Sequence, residues 1–395
     1  MNMTISKKIE QFMNESSWIR KMFEEGISLK EKYGHENVYD FSLGNPILDP
    51  PEEFFNSLKE ISESKIKGIH GYMPNAGFKS TRSKISQKIS NQSKSELNPD
   101  DILMTSGAAG ALNVILHSII NEGEEVIIFK PFFPEYKFYV DNHGGKSLFC
   151  DFKEDFTPSI DNLKSLISSK TKALILNSPN NPTGVSYPEK ILIDICQVVS
   201  EAEAKFNSDI FIISDEPYRY LEYEDSNQPF IFDLHKNGII ASSFSKDLSI
   251  AGERIGFVAL GEKIKDKELI IDALNFSNRT LGFVNAPALG QRLVENSINA
   301  LADINKYKTK RDYFYSELIN FGYEIVRPTG GFYLFPKSPI NDIEFTNLLK
   351  KEKILVVPGT GFGAPGYFRI SYSVDDSVIE NSLDGFKKVI KSFKT

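Results

Sequence analysis

Four short apolar runs, separated by longer helix-like stretches and each closed by turn-forming or polar residues, constrain the fold of this chain more than any other feature. They are Glu125-VIIFK-Pro131, Lys172-ALILN-Ser178, Asp209-IFIIS-Asp215 and Gly238-IIASSFS-Lys246. Runs this short, rich in Ile, Leu and Val and without polar alternation, are the pattern of strands buried on both faces. Their alternation with helical segments predicts βα units around a mostly parallel sheet. In such sheets ligand groups gather at the carboxyl ends of the strands, where the loops converge on one crevice. After about residue 286 the pattern changes to one long charged, amphipathic stretch from Leu289 to Phe321, followed by two short strand candidates, GGFYLFP and YFRISYS. That predicts a second, smaller α+β layer, and a chain of 395 residues is long enough for two cores.

Composition narrows the function classes. Forty-six basic against fifty-three acidic residues give a net charge of −7, which carries no nucleic-acid signature. Cys150 and Cys196 are too few and too far apart for a thiolate metal site or a disulfide framework, and the five histidines have no metal spacing. No metal is expected. The amino-terminal stretch lacks the apolar core of a secretory signal. The most apolar decamer, Ala111 to Ile120, is interrupted by Asn113, His117 and Ser118 and falls short of the ~20 residues that span a bilayer. A cytoplasmic protein that neither spans a membrane nor binds nucleic acid is the expectation.

Four segments at strand ends carry candidate chemistry. SFSKDLSIAGERIGF places Ser243, Ser245, Lys246 and Arg254 within twelve residues. Taken alone this is a strand-to-helix turn with a snorkelling lysine; its sharper meaning is an amine that condenses with an aldehyde, beside hydroxyls and a guanidinium that hold a phosphate. DIFIISDEPYRYL ends a strand in Asp215 and places Tyr218 three residues on. Asp215 fits a turn cap, or a buried carboxylate that keeps a pyridine nitrogen protonated. At ~3 Å and an effective dielectric of ~20 that attraction is roughly 5 kcal/mol before desolvation. ALILNSPNNPTG is a turn by composition, or it offers the Asn181 amide to a phenolic oxygen. ILMTSGAAGALNVIL is a strand, a small-residue turn and a helix start, in which Ser106, Gly107, Ala108 and Ala109 could bring backbone amides to an anion.

Together these segments resemble the fold-type I pyridoxal-phosphate enzymes of the class I/II aminotransferase family, over roughly residues 38 to 375. Gly44-Asn45-Pro46, Tyr72, Ser106-Gly107-Ala108, Asn181-Pro182-Thr183-Gly184, Asp215-Glu216-Pro217-Tyr218, Ser245-Lys246, Arg254 and Arg369 occur in the family's order. The resemblance implies an α/β fold: a large domain with a central, mostly parallel sheet flanked by helices, plus a smaller α+β domain. Residues 1–45 would pack with the small domain, 46–285 would form the large cofactor-binding domain and 286–395 the small carboxyl-terminal one. It implies pyridoxal 5'-phosphate as cofactor, with Lys246 as Schiff-base lysine and proton shuttle and Asp215 as partner of the ring nitrogen. Asn181 and Tyr218 would bond the ring hydroxyl. Ser243, Ser245, Arg254 and the amides of Ala108 and Ala109 would hold the phosphate. Phe133, in KPFFPEY, would stack on the ring, with Phe132 as the alternative register. Arg369 would grip the substrate α-carboxylate, helped by the backbone of Gly44. Tyr72 would reach the cofactor phosphate of a neighbouring subunit, which makes the enzyme a two-fold dimer with shared sites.

The implied reaction is amino transfer between an L-amino acid and a 2-oxo acid, of aspartate/glutamate type with broad specificity. Arg279, in NFSNRTLGFVNAP, is either a cation for a dicarboxylic side chain or a rim arginine on a solvated loop. Two rivals remain: a related lyase or decarboxylase built on the same residues, and a cofactor-binding sensor without catalysis. A DNA-binding module of the sensor type has little room in the forty or so residues before SLGNP, which include Glu10, Glu15, Glu24 and Glu25. Gly359-Thr-Gly361-Phe-Gly363 has the wrong spacing for a dinucleotide fingerprint and reads as a turn near the substrate mouth.

Overall fold

The computed structural model describes residues 4–15, 18–65, 67–224 and 228–393. Residues 1–3, 16–17, 66, 225–227 and 394–395 lie outside the described residues. After the short strand β1 (Tyr39–Asp40), seven strands build the main sheet: β2 (Ile102–Thr105), β3 (Glu125–Phe129), β4 (Lys146–Cys150), β5 (Thr171–Asn177), β6 (Phe211–Asp215), β7 (Gly238–Ser243) and β8 (Gly256–Leu260). Their order is β2-β8-β7-β6-β5-β3-β4. β8 is antiparallel to both neighbours, and the remaining pairs are parallel. The four apolar runs are therefore β3, β5, β6 and β7.

Both faces of the sheet are covered, which is why these strands show no polar alternation. Because successive side chains point to opposite faces, Ile127, Leu174, Ile212 and Ile240 enter one core. Val126, Ile128, Ile175, Ile213 and Ile239 enter the other, with the helix Gly107–Ile119. Register then sets the functional edge. Asn177 pairs with Asp215, and Asp215 with Ala241, so β5 and β6 end level and β7 runs two residues further, to Ser243. The antiparallel β8 starts where they finish, with Gly256 opposite both Ser243 and Thr105. Arg254 is thereby delivered to the same end. Position 256 has no room for a side chain, since a Cβ would lie 2.5 Å from the Ser242 carbonyl oxygen and 2.7 Å from the Gly107 carbonyl carbon.

A third core is built from Phe41, Tyr307, Phe314, Phe345, Phe368 and Phe386, among others. Its strands are β9 (Tyr333–Leu334), β10 (Ile354–Leu355), β11 (Val357–Pro358) and β12 (Phe368–Ser371). They form the antiparallel order β11-β12-β9, while β10 pairs with β1. The expected single stretch from Leu289 to Phe321 is two helices, Ala288–Asn296 and Ile304–Phe321. Leu293, Val294 and Ile298 pack in the sheet core. Asp303 then starts a new helix by accepting the Asn305 amide at 3.2 Å. The change of core thus falls between Ile298 and Ile304, later than the change of pattern at residue 286. No helix among the described residues is long and apolar enough to cross a membrane.

Candidate active site

The strand ends enclose a cavity of about 270 Å³ whose wall includes Lys246, Asp215, Asn181, Tyr218, Arg254 and Arg369. Six candidates scattered over 189 residues of sequence thus share one space. Ala108, Ala109, Phe133, Ser243, Ser245 and Gly44 also line it. Phe133 stands edge-on to Tyr136, whereas Phe132 is stacked on Phe149 behind the wall.

Asp215 closes β6 and is buried. One carboxylate oxygen, Oδ2, accepts the Tyr136 hydroxyl, while Oδ1 is buried without a partner. Burial pushes this carboxyl up to about 7, the Tyr136 hydroxyl opposing the rise and Glu216 adding to it. An unsatisfied, charge-ready oxygen in a cavity wall is costly unless a cation or donor arrives. Asn177 fixes the surroundings, donating from Nδ2 to the Asp215 carbonyl at 2.9 Å and accepting the Asn181 amide at 2.8 Å.

Lys246 follows β7 and donates from Nζ to the Gly44 carbonyl at 2.7 Å. Burial first, and then the positive charges of Arg254 and Arg369, lower this amine to about 8. An amine so placed is half neutral near pH 8, far below the pH a solvated lysine needs to reach the neutral state required of a nucleophile or a base.

At the other end of the cavity, the helix Gly107–Ile119 points its free amides inward. Gly107 has φ +72°, and a Cβ there would meet Arg254 Nη2 at 2.9 Å, so the guanidinium rests against the start of the helix. Arg254 donates from Nη1 to the Ala251 carbonyl at 3.1 Å, and among the described residues no carboxylate pairs with it. Buried Ser243 and Ser245 flank this end. Two hydroxyls, free helix amides and an unpaired guanidinium form a donor set suited to a phosphate. Ser106 and Gly107 support that turn from just outside the cavity wall.

Arg369 is the second unpaired cation. It is buried, with Nη1 donating to Asn181 Oδ1 at 2.9 Å and Nη2 to the Ser42 carbonyl at 2.6 Å, while Nε has no partner. The rings of Tyr333 and Phe362 each lie 4.8 Å from its guanidinium carbon, so the Gly359–Phe362 turn does border this end. The Tyr218 hydroxyl is 2.7 Å from that of Tyr333, a contact not foreseen from sequence. Asn181 keeps its amide donors available because its oxygen serves Arg369.

Two further candidates lie outside this wall, on the surface. Tyr72 is 95% exposed, and Arg279 is exposed near the end of the helix Lys267–Thr280. Sequence reasoning missed Tyr136, Asn177 and Tyr333. A polar residue at a strand end was the signal that picked out Asp215, and it applied equally to Asn177. Tyr136 stands in the quoted KPFFPEY, one helical turn after Phe133. No local signal marks Tyr333.

Comparison with known proteins agrees with this geometry. The family described as aminotransferase class I and II matches residues 36–386. A probable aspartate/prephenate aminotransferase of Aquifex aeolicus is 31% identical over 375 residues, 91% of each chain. Aromatic-amino-acid aminotransferase 2 of Thermococcus litoralis is 31% identical over 405 residues, covering 99% of this chain and 100% of its own. The crystal structure of an amino transferase from Eubacterium rectale superposes with a TM-score of 0.96 at 35% identity, over the whole of both chains. The central sheet with its helical layers is the fold-type I architecture that the resemblance implied. With family, fold and full-length relatives in agreement, the chain belongs to the class I and II aminotransferases and is an aminotransferase.

Proposed function

We propose that the cavity holds pyridoxal 5'-phosphate and that the enzyme passes an amino group from an L-amino acid to a 2-oxo acid. The observation that carries this is the buried, unpartnered Oδ1 of Asp215 in the same cavity as the depressed amine of Lys246. The bound cofactor supplies an aldehyde for the amine and a protonated pyridine ring that withdraws electrons from the substrate α-carbon. Lys246 would hold the cofactor covalently through its Nζ and, when its amine is free, would carry the proton to and from the substrate α-carbon. Asp215 stays anionic against the ring nitrogen, and Tyr136 keeps it oriented. Asn181 and Tyr218 bond the ring hydroxyl, and Phe133 covers the ring. Ser243, Ser245, Arg254 and the amides of Ala108 and Ala109 bind the phosphate.

Arg369 grips the α-carboxylate, with the Gly44 backbone beside it. A planar fork suits that anion better than an ammonium does. Arg369→Lys keeps the charge and loses one charge-assisted hydrogen bond, worth roughly 1.5–3 kcal/mol. The expected result is a fall in kcat/KM for the amino acid of about tenfold to a hundredfold, with cofactor affinity unchanged. Steady-state kinetics and a cofactor titration check it.

Substrates of aspartate/glutamate type with broad specificity are supported by relatives named for aspartate/prephenate and for aromatic amino acids. Arg279 serves a dicarboxylic side chain only if a second copy presents it. The exposed Tyr72, at 95%, and Phe276, at 56% beside Arg279, support a two-fold dimer in which Tyr72 reaches the partner's phosphate site. The cytoplasm is the proposed location. The test of the reaction is product analysis: protein, cofactor, a panel of amino acids and 2-oxoglutarate. Glutamate and the matching 2-oxo acid in equal amounts are expected; ammonia with pyruvate, or carbon dioxide, would replace amino transfer by elimination or decarboxylation.

A further inference from the structure

Residues 42–47 run between the two cations of the substrate end. The Ser42 carbonyl accepts from Arg369 Nη2 at 2.6 Å, and the Gly44 carbonyl from Lys246 Nζ at 2.7 Å. Two hydroxyls with no part in the chemistry above fasten the rest of this segment. The Ile47 amide donates to the Tyr307 hydroxyl at 3.0 Å, and Ser373 Oγ donates to the Asn45 carbonyl at 2.6 Å. The hydroxyls lie 3.2 Å apart, and both residues are buried, Tyr307 at 0% and Ser373 at 6% exposure.

Each hydroxyl has one proton. That of Ser373 goes to the Asn45 carbonyl, which can only accept, so Tyr307 must donate to Ser373 Oγ while its own lone pair takes the Ile47 amide. The chain therefore runs one way, from Ile47 N–H through Tyr307 and Ser373 to the Asn45 carbonyl, and closes a ring around Pro46, which has no N–H to contribute. Tyr307 belongs to the helix Ile304–Phe321, and Ser373 follows the strand Phe368–Ser371 that carries Arg369. The ring thus ties the segment to the body that holds Arg369.

We propose that Tyr307 and Ser373 are positioning residues for amino transfer: their hydroxyl chain holds residues 42–47 so that the Gly44 and Ser42 carbonyls meet Lys246 and Arg369. This rests on the roles given to those two residues above. The groups assigned to the cofactor phosphate sit at the end of β7, in the segment between β7 and β8 and at the start of the helix Gly107–Ile119, away from residues 42–47, so loosening the ring weakens the amino-acid end and spares the cofactor.

The experiment compares Tyr307→Phe, Ser373→Ala, the double variant and Ser373→Thr, which keeps a hydroxyl. It reads KM and kcat for the amino donor, cofactor affinity, and hydrogen exchange of the Ile47 amide in cofactor-free protein. Tyr307→Phe should release the Ile47 amide to at least about tenfold faster exchange and raise KM about tenfold, with kcat and cofactor affinity little changed. Ser373→Ala should raise KM similarly, the double variant should be no worse than either single change, and Ser373→Thr should stay near wild type. Unchanged KM in Tyr307→Phe, or an equal loss of cofactor affinity, overturns the proposal. If Tyr307→Phe does not fold, Ser373→Ala is judged by the same KM and cofactor criteria. A wild type without amino transfer would sink the assignment of the reaction instead, and Ile47 exchange would still decide whether the ring holds the segment.

Discussion

Lys246→Ala protein, supplied with pyridoxal phosphate, should still bind the cofactor but turn over about 10⁴-fold more slowly than wild type, the upper end of the range for losing a positioned general base. Binding survives because Ser243, Ser245, Arg254 and the helix amides are untouched. Turnover does not survive, because among the described residues no other amine lines the cavity and the α-proton has no carrier. Depressed by burial and by two neighbouring guanidiniums, the amine is poised at about 8, so wild-type activity that depends on the free amine should rise as pH climbs toward that value. Steady-state rates and a cofactor titration on both proteins check this, and wild-type turnover in the variant would contradict it.

Asp215→Asn should separate function from stability. Opposite a ring nitrogen, the carboxylate's attraction of roughly 5 kcal/mol, less its desolvation, corresponds to a fall in kcat of about 10²- to 10³-fold for the neutral amide. In cofactor-free protein the sign reverses. The native carboxyl titrates at about 7, against about 3.9 unfolded, so between these values the native state holds the extra proton and stability falls as pH rises. Above pH 7 the full penalty of burying the charge is present, up to about 4 kcal/mol. Asparagine escapes it. Cofactor-free Asp215→Asn should therefore be more stable than wild type at pH 8, with the advantage shrinking as pH falls and gone near pH 4. Denaturant midpoints across pH measure it; a variant less stable than wild type at pH 8 would contradict the account.

The strand ends were legible because a parallel sheet buried on both faces leaves uninterrupted apolar runs, and the first polar residues after them have few places to go but the shared edge. Asp215, Lys246 and Asn181 were found that way. The contacts that tune them were not, because they join distant parts of the chain. Tyr136 reaches Asp215 across 79 residues and Tyr333 reaches Tyr218 across 115, and no local spacing encodes either. The split between Asn296 and Ile304 was hidden for another reason. Both helices are amphipathic, so the apolar pattern continues through the break, while the faces it marks belong to different cores. Tyr72 and Arg279 lie on the surface of the chain, and the roles proposed for them need a second copy, which no spacing within one chain encodes.

The covalent link at residue 246 can be examined directly. The cofactor-saturated protein is treated with borohydride, digested and mapped by peptide mass spectrometry. The account predicts the mass of the reduced cofactor fixed to the peptide that contains Lys246 and to no other lysine; an unmodified Lys246 would contradict it.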